Sequence, residues 1–237
     1  MRLLVTRPES DGEQTAAALR ARGHDVLLAP LLRIEPVAAD LDKGPWAGVL
    51  MTSANAARAI AAHPRHAEIV QIPVFTVGHG SAEAARGAGF AMVTSADGDA
   101  SDLVRLVAGR LAGSKAPLLY LAGERRSADI AGALAEHGIN VRTVVVYRAI
   151  AAADLPAAAR SAMAGGDIHG VLHFSPRSAA TFVEAARVVG ILDKALNLLH
   201  YCLSRQVAAP LEAAGAAHIR IASRSDENAL LDLVGVA

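Results

Sequence analysis

Short aliphatic runs alternate with alanine-rich stretches along the whole chain, and this alternation constrains the fold more than any other feature. Runs at 3–6, 26–29, 48–52, 74–77, 91–94, 118–121, 141–146, 170–174, 199–203 and 219–222 read as strands. The stretches between most of them are rich in Ala, Leu, Glu and Arg, which favour helices. That order predicts parallel sheets covered by helices on both faces, an α/β fold. Gly23, Gly89, Gly138 and Gly215 each close a helical pattern just before a strand, where a left-handed residue ends a helix. Helix starts are marked too. Thr6 and Glu9 fit a capping box with Pro8 in the first turn, and Ser175 followed by Pro176 fits an N-cap and first helical residue.

The ten strands divide into two sets of five. A shift of 115 lays Leu3, Leu4, Glu9, Ala18, Leu19, Gly23, Val26 and Arg33 on Leu118, Leu119, Glu124, Ala133, Leu134, Gly138, Val141 and Arg148. A shift of 122 lays Val49, Leu50, Ser53 and Ala57 on Val171, Leu172, Ser175 and Ala179. A shift of 126 lays Ala82, Ala88 and Gly89 on Ala208, Ala214 and Gly215. The steady order of the offsets indicates two related units rather than one ten-stranded sheet. Both units break at equivalent places, 32–37 and 147–151, where Pro36 and the lack of helical periodicity predict extended connections.

Composition narrows the function. Only 3% of residues are aromatic, which disfavours a stacking platform for bases or sugars. The formal net charge is +0, so no long-range field draws nucleic acid or anionic lipid. A single cysteine, Cys202, excludes an internal disulfide and any CxxC site. The opening MRLLVTRP is too short for a signal-peptide core, and no apolar stretch reaches the ~18 residues of a membrane span. The expectation is a soluble, cytoplasmic protein.

Familiar catalytic patterns are missing. There is no P-loop or G-x-S-x-G elbow, and Gly78-His79-Gly80 lacks the rest of a dinucleotide fingerprint and reads as a tight strand-to-helix turn. Pro64 spoils His63 and His66 as a helical metal pair, and His169 and His173 lie roughly 13 Å apart on an extended strand. What recurs is a hydroxyl or amide residue where a strand meets a helix: Thr6-Arg7, Ser53 with Asn55, Ser81, Ser175 with Ser178, and Ser204. Ligands of open parallel sheets bind outside the carboxyl ends of the strands, where helix N-termini present unpaired N–H groups and partial positive charge. Several such termini can hold carboxylates without a basic surface. N-capping alone also explains each of these residues.

These segments resemble the uroporphyrinogen-III synthase family. LLVTRPESDGEQTAAALRARGHDVLLAPLLRIEP is similar to its N-terminal signature, VLMTSANAARA to its TS-x-NA segment, VGHGSAEAARGAG to its G-x-x-[TS]-A segment and VVVYRA to its tyrosine linker. VLHFSPRSAATF and YCLSRQVAAPLEAAG resemble the second-half versions of two of these. The resemblance implies two similar flavodoxin-like domains, each a five-stranded parallel sheet with flanking helices, joined by a two-stranded connection. Carried over, domain one comprises 1–34 with 150–237 and domain two 37–146, with linkers at about 35–36 and 147–149. It implies a monomeric, cofactor-free and metal-free lyase acting on hydroxymethylbilane, with a transient contact to the deaminase that supplies the bilane and none to nucleic acid or membrane. Tyr147 matches the family's cleft tyrosine and is expected to protonate or hydrogen-bond the leaving hydroxyl, since a tyrosine carries its proton at neutral pH. Thr6, Arg7, Ser53, Asn55, Ser81, Ser175, Ser178 and Ser204 are the expected substrate-binding residues. Val207 departs from the family where Ser81's counterpart carries a hydroxyl, which shifts weight to backbone N–H groups. The alternatives are a non-catalytic tetrapyrrole-binding module of the same fold and a two-lobed binding protein of the periplasmic type.

Overall fold

The computed structural model describes residues 1–126 and 128–236. In chain order the elements are β1 (Arg2–Val5), α1 (Glu9–Ala21), β2 (Asp25–Leu28), β3 (Leu32–Pro36), β4 (Gly48–Met51), α2 (Ala54–Ala61), α3 (His66–Ile69), β5 (Val74–Thr76), α4 (His79–Gly87), β6 (Val93–Ser95) and α5 (Ala100–Arg110). They continue with β7 (Leu118–Gly123), α6 (Ile130–Glu136), β8 (Val141–Ala151), α7 (Ala157–Gly165), β9 (Gly170–His173), α8 (Pro176–Val188), α9 (Leu192–Leu196), β10 (Leu199–Cys202), α10 (Arg205–Ala214), β11 (His218–Ile221) and α11 (Glu227–Val234).

The chain divides into two compact units. One holds Met1–Arg33 with Ile150–Ala237, the other Ile34–Ala149. The first unit contains a five-stranded parallel sheet in the order β11-β10-β9-β1-β2, the flavodoxin-like arrangement. The other sheet runs β3-β8-β7-β4-β5-β6, parallel from β8 to β6. Under the sequence offsets β1, β2, β9, β10 and β11 correspond to β7, β8, β4, β5 and β6. The two sheets therefore share one spatial order. The sequence repeat and the compact units are cut differently, because each unit takes its first two aligned strands from one copy and the other three from the other.

Strand burial explains why the aliphatic runs are continuous. Leu3 and Leu4 are both fully buried, yet successive side chains point to opposite faces. Leu4 joins Val171, Phe182, Cys202 and Leu211 on one face of the first sheet, while Leu3 joins Leu172, Tyr201 and Leu230 on the other. In the second sheet Val49, Met51, Leu119 and Leu121 occupy one layer and Leu50, Leu118 and Tyr120 the opposite one. Strands covered on both faces leave no polar alternation to read.

The expected helix stops are present, with Gly23, Gly89, Gly138 and Gly215 all at φ between 75° and 96°. Ser175 caps α8, with Pro176 at its first position. Three expectations need correction. Thr6 does not cap α1, because its buried hydroxyl donates across the sheet to the Leu172 carbonyl at 2.9 Å, and Pro8 precedes the helix without a side-chain cap. The extended segment 32–36 is a strand, which makes the second sheet six-stranded. Val37 N–H donates to Val146 O and Ala152 N–H to Leu31 O, an antiparallel sense along β3 and β8. Finally, the run at 91–94 pairs from Val93 to Ser95, two residues later at its start.

Candidate functional site

In the first unit the chain leaves β1 toward β2 on one side and reaches β9 on the other, so the crevice outside the carboxyl ends of β1 and β9 is the switch point of that sheet. Of the residues expected there, several are already engaged. Thr6 is tied to Leu172 as described. Arg7 donates to Glu227 at 2.8 Å and to Thr15 at 3.0 Å, lies 3.5 Å from Asp11, and stacks over Phe174 at 4.2 Å. Its charge is met by the protein's own carboxylates. Ser175 Oγ accepts from the Ser178 N–H at 3.1 Å, and Ser178 donates back to the Ser175 carbonyl at 3.0 Å from a position 1% exposed. Ser178 thus locks the first turn of α8. Ser204 differs. It sits at the N-cap of α10 with extended backbone and no side-chain cap.

The second unit repeats this division. Ser53 caps α2 by accepting from the Asn55 N–H at 3.2 Å, while the Asn55 side-chain Oδ1 accepts from Arg58 at 3.1 Å. Ser81 is 9% exposed in the third position of α4, whose N-cap is Gly78, again without a side-chain cap. A methyl group at Gly78 or Gly80 would meet nothing within 4 Å. The start of α4 is open backbone.

Two repeat-related pairs therefore emerge. α2 and α8 are capped by serine; α4 and α10 are left uncapped. None of the four carries an acid in its first turn, whereas α1, α5 and α11 all do. Arg177 and Arg205 stand in the first turns of α8 and α10, where a helix dipole disfavours a cation. Neither forms an ion pair with a described residue. Such ends are shaped for anions.

Tyr147 lies on β8, half-buried, at the carboxyl end of the second sheet. A β-bulge precedes it: Ala122 pairs with Val145, but Gly123 pairs with Tyr147. Close by, the Tyr120 and Thr52 hydroxyls are 3.0 Å apart. Burial, and then the neighbouring Tyr147, push the Tyr120 phenol above its ordinary range, against the pull of the Thr52 hydrogen bond and the charge of Arg126. Arg125 and Arg126 follow β7 in exposed positions with no ion pair to a described residue. The sequence motifs did not single out these two cations, although their place after a strand's carboxyl end was visible.

The sequence pattern of the family described as uroporphyrinogen-III synthase HemD matches residues 13–232. The chain belongs to the uroporphyrinogen-III synthase family. Among solved structures it is similar to the uroporphyrinogen-III synthetase of Helicobacter pylori, with a TM-score of 0.68, 18% identity and coverage of 99% of this chain and 98% of that one. It is also similar to a mutant uroporphyrinogen III synthase from the extremely thermophilic bacterium Thermus thermophilus, with a TM-score of 0.55, 17% identity and coverage of 99% and 96%. At these identities the likeness is one of fold. A search of curated proteins finds no match.

The histidines of this synthase-family chain do not gather as metal ligands: among the described residues no three His, Cys, Asp or Glu side chains converge. His63 and His66 instead bond the carbonyls of Ala39 and Ala88, at 3.0 and 2.6 Å. Sequence reasoning missed one pair. His173 Nε2 and His200 Nδ1 are 3.1 Å apart and both rings are fully buried, 27 residues apart in sequence and joined only by the β9–β10 register. Among the described residues no helix is long and apolar enough to cross a membrane.

Proposed function

We propose that the chain cyclises hydroxymethylbilane to uroporphyrinogen III, inverting ring D with loss of water, and that Tyr147 is its proton donor. The observation that carries this reading, in a member of this family, is the set of four acid-free helix starts at the strands' carboxyl ends together with the Tyr147 phenol. The bilane carries eight carboxylates. Each unit offers carboxylates partners at its own strand ends although the chain has no net charge: the open N–H groups of α10 with Ser204, Arg177 and Arg205 in the first, and those of α4 with Ser81 in the second. Ser53, Asn55 and Ser175 hold the starts of their helices in shape. Thr6, Arg7 and Ser178 serve the fold rather than the substrate.

Tyr147 would give its proton to the terminal hydroxyl, which leaves as water. The pyrrole nitrogen's electron pair completes the azafulvene, and the pyrrole N–H proton returns to the phenolate. The substituted position of ring D then attacks the electrophilic azafulvene carbon, whose nitrogen takes up the electron pair and a proton, and the spiro intermediate fragments and recloses with that ring reversed. Holding the bilane folded supplies the rest of the advantage, because the uninverted isomer forms without help. On this reading the protein is a cyclising hydro-lyase, cytoplasmic and monomeric, that uses no cofactor and whose two compact units are its domains.

The test feeds freshly made hydroxymethylbilane and separates the oxidised type I and type III porphyrins. A type III product at catalytic turnover is expected. Tight binding of the bilane with an unchanged type I product would instead identify a non-catalytic tetrapyrrole-binding module.

A further inference from the structure

Tyr147 owes its position to a residue that lacks a side chain. Ala122 faces Val145 across the β7–β8 ladder, and Gly123 faces Tyr147, so Val146 is the extra residue of a bulge. A bulge of this kind turns the following side chain away from the face that simple alternation would give it. Val146 is 3% exposed and joins the layer of Val49 and Met51, while Tyr147 packs at the margin of that layer. The ladder then resumes, with the Glu124 N–H donating to the Tyr147 carbonyl at 2.9 Å.

The Tyr147 ring lies directly over Gly123. A Cβ at 123 would come within 2.7 Å of Tyr147 Cζ, 2.8 Å of its hydroxyl oxygen and 3.1 Å of Cε2. Unstrained carbon contacts begin near 3.5 Å. Gly123 has no left-handed backbone to explain it, since its φ is not among the positive values. The hydroxyl end of the ring is what requires the glycine. Tyr120, in the opposite layer of the same sheet, holds its hydroxyl 3.0 Å from that of Thr52. Tyr147 is near enough to help raise the Tyr120 phenol.

We propose that Gly123 is a positioning residue: the bulge and the bare Cα at 123 together hold the Tyr147 hydroxyl where it meets the substrate's leaving group. This rests on the assignment of Tyr147 as proton donor. A methyl group at 123 lifts the ring while leaving the strand, its hydrogen bonds and the anion-binding helix starts in place.

The experiment compares Gly123→Ala, Tyr147→Phe and the double variant for turnover, KM and isomer ratio. Each protein is also labelled with 3-fluorotyrosine, which gives one fluorine signal for each of the three tyrosines, Tyr147 being identified by its loss in Tyr147→Phe. Gly123→Ala is expected to lower kcat at least tenfold with KM within threefold, and to move the Tyr147 signal far more than that of Tyr201. In the Tyr147→Phe chain the same methyl should cost less than threefold more. Parent turnover in Gly123→Ala, with Tyr147→Phe slow, overturns the positioning role and leaves Tyr147 standing. Parent turnover in Tyr147→Phe removes the proton donor itself, and the role given to Gly123 with it. Equal losses from Gly123→Ala in both backgrounds also overturn the proposal, because the effect then bypasses the hydroxyl. Should Gly123→Ala fail to fold, Gly123→Ala with Tyr147→Ala relieves the clash and is expected to restore folding. Continued failure there overturns it.

Discussion

The two sheets share one strand order, yet at matched positions one core holds apolar side chains and the other a pair of imidazoles. Met51 and Val74 in the second unit correspond, under the offsets of 122 and 126, to His173 and His200 in the first. All four are fully buried. Even the register agrees, Met51 facing Thr76 as His173 faces Cys202. Methionine and valine ask for no partner. The imidazoles share one hydrogen bond, rest against Phe182 at 5.2 and 5.8 Å, and leave His173 Nδ1 and His200 Nε2 without a bond of ordinary geometry among the described residues. Burial, then mutual repulsion, hold His173 well below the ordinary imidazole range; burial takes His200 down to about 4. The same architecture thus accepts either filling at pH 7, but only one filling ties its stability to pH.

The strongest way to break the comparison is catalytic, since the phenol belongs to the second unit alone: by the offset of 115, Leu32 occupies the place of Tyr147. Tyr147→Phe keeps the ring and is expected to slow turnover by ~10²–10⁴-fold, the usual worth of general-acid help, with the residual product still type III. A parent rate would show that the asymmetry has no catalytic meaning.

Acid provides the next contrast. Unfolded histidine takes up a proton near 6.5, whereas folded His200 resists until about pH 4. Stability from the neutral pair is therefore complete above 6.5 and drains away as pH falls from there toward 4 and below. For His200 alone the loss is on the order of 3 kcal/mol. Hydrogen exchange at pH 7 and pH 4.5, corrected for intrinsic rates, should show protection lost in 1–33 and 150–236 and kept in 34–149. Equal loss in both sets would count against the histidine pair as the cause.

Transplanting residues sharpens the point. His173→Met with His200→Val should flatten the pH dependence of Tm. His200→Val alone should cost about 1–3 kcal/mol at pH 7, because it strands the His173 ring. The serines give the smallest effects. Ser53→Ala and Ser175→Ala each remove a cap, worth about 1 kcal/mol of stability. Ser204→Ala should leave Tm within a degree. Every single change at Ser53, Ser81 or Ser175 should slow turnover less than tenfold, because the neighbouring N–H groups remain.

Much of the fold was legible because parallel strands buried on both faces spell themselves as aliphatic runs, as at 3–6 and 118–121. β3 was legible only as an extended connection and not as a sheet strand, because Leu32-Arg33-Ile34-Glu35-Pro36 is a short edge with a terminal proline, and its pairing with β8 lies more than a hundred residues away. Local rules also misjudged Thr6, whose hydroxyl prefers a strand neighbour 166 residues distant to the helix start beside it. Within the candidate site, the cap at Ser175 could be read from neighbouring residues. Tyr147, expected in a linker at 147–149 after a strand ending at Val146, lies instead inside β8, which runs on to Ala151. The Gly123 contact, the engagement of Arg7 by Glu227 and the histidine pair could not, for each depends on register between distant segments.

The interleaving of the two sheets bears on how the chain emerges during synthesis. β1 lies between β2 and β9 in its sheet, and β9 begins only at Gly170. The first strands made must wait, with one long edge unpaired, while more than a hundred further residues are translated. The 34–149 segment meets no such delay, since all its strands are made in one continuous stretch. At ~5–20 residues per second the wait lasts seconds or longer, ample time for misassociation of an exposed β1 edge. The N-terminal strand–helix–strand segment is therefore where a nascent-chain chaperone would have most to do.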